Sequence, residues 1–249
     1  MTKPSPPNTL MIVLPTPWQD DFYPRLSSTY LEIWDEELLG EGDDNTGELW
    51  VTGERGIRKA NWIKDPKIDH LIDSITHTHP PFAETELLIA DQHQCSWRLF
   101  VESASYDDAR FLVRLIAAMS GTQSVATLIP STGRAFPPTF SRQLSASDEI
   151  ESVVSFFIHA RSDKTSMQTE GLTAFGLPEI RTNVLNGKNE AYFNLLDLCA
   201  SILLDGMPDL SREMEFGMQN YRLEKSNSRT PNPDNPVSGF YGVLNLKRT

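Results

Sequence analysis

The sequence predicts an α+β protein made of two antiparallel sheet-and-helix halves packed as one compact body. Three observations predict it. Strand-like apolar runs alternate with segments of helical period along all 249 residues. In the front half the order strand, helix, strand, strand, helix, strand matches the split-βαβ (ferredoxin-like) pattern. A proline-rich passage, Phe136-Pro137-Pro138, then separates an N-terminal half at 1–135 from a C-terminal half at 136–249.

Leu10 to Leu14 is five apolar residues stopped by Pro15 and Pro17, a buried first strand. Leu26, Tyr30, Ile33, Trp34, Leu38 and Leu39 share one face of a helix over 25–39, which Gly40 and Gly42 stop. A short strand follows at 48–52. Asp65-Pro66 starts a helix through Ile68, Leu71, Ile72 and Ile75. Residues 86–90 and 96–102 read as strands joined by a polar turn, and Ser105 caps a helix over 106–119. A strand at 125–129 completes the half.

In the second half, 141–151 reads as a short helix, and the β-branched and aromatic content of 153–160 predicts a strand. Residues 169–180 combine two glycines and a proline with large apolar side chains, a composition for buried, sharply bent backbone. A helix over 189–204 presents Tyr192, Leu195, Leu198, Cys199 and Ile202, and Gly206 closes it. Strands at 216–223 and 239–246 flank a surface loop at 225–238.

Within 169–180, Gly171-Leu172 and Phe175-Gly176-Leu177-Pro178-Glu179 follow an expected strand and precede a long helix. This passage resembles the signature of an uncharacterised bacterial domain-of-unknown-function family, over about the last 100 residues. The resemblance carries no activity. It implies a stand-alone cytoplasmic protein, and some such families supply immunity proteins that neutralise toxins delivered between bacteria.

Composition excludes several functions. A net charge of −12 argues against gripping nucleic acid through its phosphates. No apolar run approaches the roughly 18–20 residues of a membrane span. The start of the chain lacks the apolar core of a secretory signal, so a cytoplasmic protein is expected. Cys95 and Cys199 are the only cysteines, are not in a C-x-x-C pair, and read as buried thiols.

Motifs for catalysis are sparse, and no enzyme or cofactor is expected. The sequence has no G-x-S-x-G elbow, phosphate loop or dinucleotide fingerprint. Ser131-Thr132-Gly133-Arg134 lacks the rest of a phosphate site. His77-Thr78-His79 with His70 upstream is the metal candidate, and a metal-dependent hydrolase using the three histidines is one alternative function. The more economical reading places them at a helix C-terminus. Asp43-Asp44-Asn45-Thr46-Gly47-Glu48 is rich in oxygen but fails the calcium-loop spacing. Glu170 and Glu179 flank the bent motif and read as turn and strand-edge residues.

The acidic interval is different in kind. Between Arg25 and Arg55 no Lys or Arg occurs, while nine carboxylates do. Aromatic anchors ringed by charge are a feature of specific interfaces. The candidate partner-binding residues are therefore Trp34, Asp35, Glu36, Glu37, Glu41, Asp43, Asp44, Glu48 and Trp50. They point to a non-catalytic protein that binds a basic protein partner, such as an immunity-type inhibitor of a bacterial toxin. An accessory or scaffolding subunit of a bacterial assembly is the other alternative.

Overall fold

The apolar run at 10–14 becomes an interior strand of a seven-stranded antiparallel sheet. The computed structural model describes residues 8–17, 20–53, 56–76, 78–102, 104–120, 124–184, 187–216, 219–226 and 241–248. In it, β1 (Thr9–Thr16) pairs with β5 (Cys95–Glu102) on one side and β6 (Thr127–Ile129) on the other. Beyond β5 lie β4 (Gly56–Pro66), β3 (Thr46–Gly53) and β2 (Leu39–Gly42), and beyond β6 lies β7 (Arg134–Phe136).

Helix α1 (Phe22–Trp34) leads from β1 towards the β2–β4 meander, and α4 (Tyr106–Met119) joins β5 to β6. In the order β4-β5-β1-β6, strands β1 and β4 run parallel with β5 between them, and β5 and β6 run parallel with β1 between them. That is the split-βαβ arrangement within the α+β class. One of its strands is not where the spacing placed it. Residues 86–90 belong to helix α3 (Glu84–Asp91), and the strand that pairs with β5 is β4.

Alternation along the strands separates two sheet faces. Leu10, Ile12, Leu49, Ala60, Trp62, Trp97 and Leu99 are buried with Phe22, Leu26 and Tyr30 of α1 and with α4. Phe22 stacks on Trp97 with ring centroids 4.1 Å apart. Ser105 and Asp108 cap α4 reciprocally, with Ser105 N–H donating to the Asp108 carboxylate at 2.9 Å. The opposite face carries Met11, Val13, Arg98, Phe100, Asn61, Ile63, Glu48 and Trp50, none fully buried.

The expected helix from Asp65 contracts to α2 (Leu71–Ile75), because β4 runs on through Pro66 and Arg98 holds Asp65 at 2.9 Å. Helices α2 and α3 enclose a small satellite core around Ile75, Phe82 and Ala90.

After β7 come α5 (Pro138–Leu144) and α6 (Ile150–Phe157). The strand expected at 153–160 is thus mostly helix, with only β8 (His159–Ser162) extended. β8 begins a six-stranded sheet with β9 (Ser166–Glu170), β10 (Glu179–Asn183), β11 (Met214–Phe216), β12 (Gln219–Lys225) and β13 (Val243–Arg248), in the order β11-β12-β13-β10-β9-β8. Among the described residues of this sheet only β10 and β13 pair in parallel. Helix α7 (Lys188–Asp205) packs Leu195, Leu198, Cys199 and Ile202 into the core of this sheet. Most of the 225–238 loop lies outside the described residues, and the strand expected at 239–246 is described from Val243. Among the described residues no helix is long and apolar enough to cross a membrane.

Candidate binding surface

The acidic interval folds into the end of α1, a short link, and the β2–β3 hairpin at one edge of the first sheet. Two glycines let aromatic rings fix the hairpin. A Cβ on Gly40 would lie 2.7 Å from the Tyr23 ring, and Tyr23 OH donates to the Leu38 carbonyl at 3.0 Å. A Cβ on Gly47 would collide with the Trp62 indole. At the tip, Asp43 accepts the N–H groups of Asn45 and Thr46, each at 2.8 Å. Those bonds hold its carboxyl below the usual carboxylate range. The oxygen-rich sequence at 43–48 is therefore explained by an Asx turn closing a hairpin.

The nine candidate residues divide by environment. Glu37, Glu41, Asp43 and Asp44 are exposed, with no ion-pair partner among the described residues. Asp35 ends α1 in the left-handed region, with φ of 51° and its N–H bonded to the Leu31 carbonyl at 2.9 Å. Glu48 is neutralised by Lys59 at 2.6 Å, and Lys59 also lies 5.9 Å from the Trp50 ring centre. On the sheet face turned away from α1 and α4, a shallow groove of about 740 Å³ has Glu41, Asp43, Glu48, Asn61, Ile63 and Phe100 among its lining. Phe100 and Ile63 had no functional signal in sequence: Phe100 sits in an ordinary strand run, and Ile63 lies in β4, whose alternation is diluted by charged residues.

Trp34 and Glu36 belong to a separate cluster on the helix side. Arg114 donates to Glu36 at 2.6 Å and to Asp148 at 2.7 Å, and its guanidinium lies 5.1 Å from the Trp34 ring centre. Trp34 Nε1–H in turn donates to the Arg114 carbonyl at 3.3 Å. Arg110 also reaches Asp148, at 2.8 Å, and Arg58 pairs with Asp107 at 2.7 Å. These six charges line a cavity of about 280 Å³ in equal numbers of each sign. The arrangement ties the end of α1 and the β3–β4 region to α4 and the segment before α6.

Among the described residues the histidines form no metal site. His70 takes the left-handed backbone ahead of α2 and lies 3.3 Å from Asp73 on open surface, His79 is exposed, and His77 lies outside the described residues. Among the described residues no group of three or more His, Cys, Asp or Glu side chains is placed to hold a metal ion. The turn at 131–134 leads Arg134 to the Ser155 carbonyl at 2.8 Å and over the Phe136 ring.

The bent segment has a structural logic of its own. Gly171 and Gly176 adopt φ of 119° and 74° at either end of a 3-10 turn, Leu172–Phe175. A side chain on Gly171 would meet the Phe157 carbonyl oxygen. Glu179 is not at a sheet edge, as its position beside Pro178 suggests, but fully buried in β10 between β9 and β13. Its carboxylate accepts Thr169 OH at 2.7 Å, Gly171 N–H at 3.0 Å, and the N–H and OH of Thr173 at 3.1 and 3.0 Å. Burial pushes this carboxyl up, opposed by those four bonds. Glu170 is also buried and lies 3.8 Å from Arg161. Cys95 and Cys199 are buried, unbridged thiols; burial, then the nearby Glu179, raises that of Cys199. No protein-family model matches the chain, and no curated protein or solved structure is detectably similar to it.

Proposed function

We propose that this chain is a non-catalytic binding protein whose partner is a basic protein, held by the β2–β3 hairpin and the adjoining groove. The observation that carries the reading is the set Glu37, Glu41, Asp43 and Asp44, exposed carboxylates without a compensating cation among the described residues. Uncompensated charge of one sign speeds encounter with an opposite surface and excludes like-charged competitors. The half-buried Phe100, Ile63 and Trp50 add apolar area beside it, the combination that specific interfaces use. An immunity-type role, in which the chain occludes a basic toxin, fits this chemistry, because toxins that act on nucleic acid carry positive surfaces for phosphate.

The test uses proteins encoded next to this chain, purified and titrated against it. The charge reversal E37K/E41K/D44K avoids Glu36 and Asp43, whose carboxylates hold Arg114 and the hairpin turn. A neighbour that binds the native chain and loses at least about tenfold in affinity on reversal supports the reading. Binding that is indifferent to the reversal overturns it.

A further inference from the structure

The first sheet ends at β2 with an open hydrogen-bonding side. The bond from Asp43 N–H to the Thr46 carbonyl, at 2.9 Å, sets the phase of the β2–β3 ladder. Directly opposed residues alternate between bonded and non-bonded pairs in an antiparallel ladder. Glu41 and Leu39 therefore turn their peptide groups towards β3, while Gly40 and Gly42 turn theirs outward. Among the described residues no hydrogen bond reaches that outer side. Sheets commonly protect such an edge by keeping it short or by placing charge, proline or a bulge on it. The four-residue strand Leu39-Gly40-Glu41-Gly42 has no proline and pairs with β3 without a break, and its one charge, Glu41, turns away an acidic edge but not a basic segment.

We infer that β2 accepts an extended segment of the partner as an eighth strand, an inference that rests on the basic-partner reading above. Strand addition takes its affinity from main-chain hydrogen bonds and its specificity from alternate side chains. Here the alternate positions are defined. Side chains opposite Leu39, Glu41 and Asp43 lie on the outer sheet face, where the last two offer carboxylates and Leu39 a partly exposed apolar contact. The side chain opposite Gly40 lies on the other face, beside the Tyr23 ring. The matching segment has Lys or Arg at two alternate positions and an apolar residue at the next. Charge disfavours a second copy of this chain as occupant, because two β2 edges would bring Glu37, Glu41, Asp43 and Asp44 against their own duplicates.

The probe is the peptide acetyl-Thr-Lys-Thr-Lys-Thr-Leu-Thr-amide, with its reversed sequence to cover both strand directions. A control carries N-methyl groups on the amides that would face β2. Amide exchange in the full chain is followed with each. Strand addition predicts that the unmethylated peptide slows exchange at Gly40 and Gly42 and that N-methylation weakens binding at least about tenfold. Equal binding with and without methyl groups overturns strand addition and leaves the acidic-surface reading standing. Binding of neither peptide overturns strand addition also, with the acidic surface then judged by the partner titration. Protection of Gly40 and Gly42 in a peptide-free dimer assigns the edge to a second copy and overturns the inference. Backbone-dependent binding that survives E37K/E41K/D44K keeps the strand addition and removes the electrostatic reading.

Discussion

Glu41 and Glu48 stand directly opposite one another across the β2–β3 ladder, two carboxylates on one face of the sheet. Like charges at such positions are destabilising, and among the described residues the one ion pair there, Lys59 to Glu48, leaves Glu41 uncompensated. The hairpin keeps a charge that its own stability disfavours. Glu41→Thr is therefore expected to stabilise the fold by about 0.2–1 kcal/mol, read from urea unfolding, while weakening association with a basic partner. A variant that is less stable and binds unchanged contradicts this.

Gly47 lets the Trp62 indole lie against the hairpin. Gly47→Ala is expected to cost about 1–3 kcal/mol through overpacking against a ring already held by a tilted contact with Phe22 and an edge-on contact with Trp97. Tryptophan fluorescence and chemical unfolding read this together; stability within error of the native chain removes the packing account of that glycine.

Arg114 bridges Glu36 and Asp148 while lying over Trp34. Arg114→Met leaves Glu36 without its cation in a site about a quarter open to solvent, so the cost is discounted to about 2 kcal/mol. The emission of Trp34 is expected to change with it. An unchanged unfolding midpoint counts against a structural role for the cluster.

Much of the fold was legible in sequence where one face was clearly apolar. The helix expected at 189–204 spans 188–205, and the one at 106–119 matches α4. Two strands were misassigned for opposite reasons. Val153, Val154, Phe156 and Phe157 of α6 are all buried, so apolar residues surround the helix and imitate a strand run. In α3, Leu88 and Ile89 are exposed, so an apolar run marks no buried face. β4 escaped notice because Arg58, Lys59, Lys64 and Asp65 dilute its alternation around Ala60 and Trp62. The acidic hairpin was visible as a charge run. The removal of Glu36 from that surface was not, because Arg114 is 78 residues away in the chain.

The bent segment at 169–180 closes around Glu179. Glu179→Leu strands the donors of Thr169, Gly171 and Thr173, and a loss of about 3 kcal/mol or more is expected. Glu179→Gln, which keeps one acceptor oxygen, is expected to lose less. Equal losses in the two variants, measured by thermal unfolding, contradict the hydrogen-bond account.

His159 gives the fold a dependence on acid. Burial, reinforced by the positive charges of Arg134 and Arg161, lowers its imidazole from 6.5 to about 4. Between those values the unfolded chain binds a proton that the folded chain refuses, so stability rises with pH. The contribution is fully present above about 6.5 and is lost as pH falls through about 4. His159→Asn is expected to flatten the stability profile over that window. A variant that declines as steeply as the native chain shows that other groups set the slope.

The salt dependence of affinity for a bound partner tests the hairpin most directly. Titrations at low and high ionic strength, with the native chain and with E37K/E41K/D44K, separate charge from contact area. The native affinity should fall steeply as salt rises, and the charge-reversed chain should be weak and nearly insensitive to salt. A partner held equally well by both chains at every ionic strength would contradict the acidic hairpin as the binding surface.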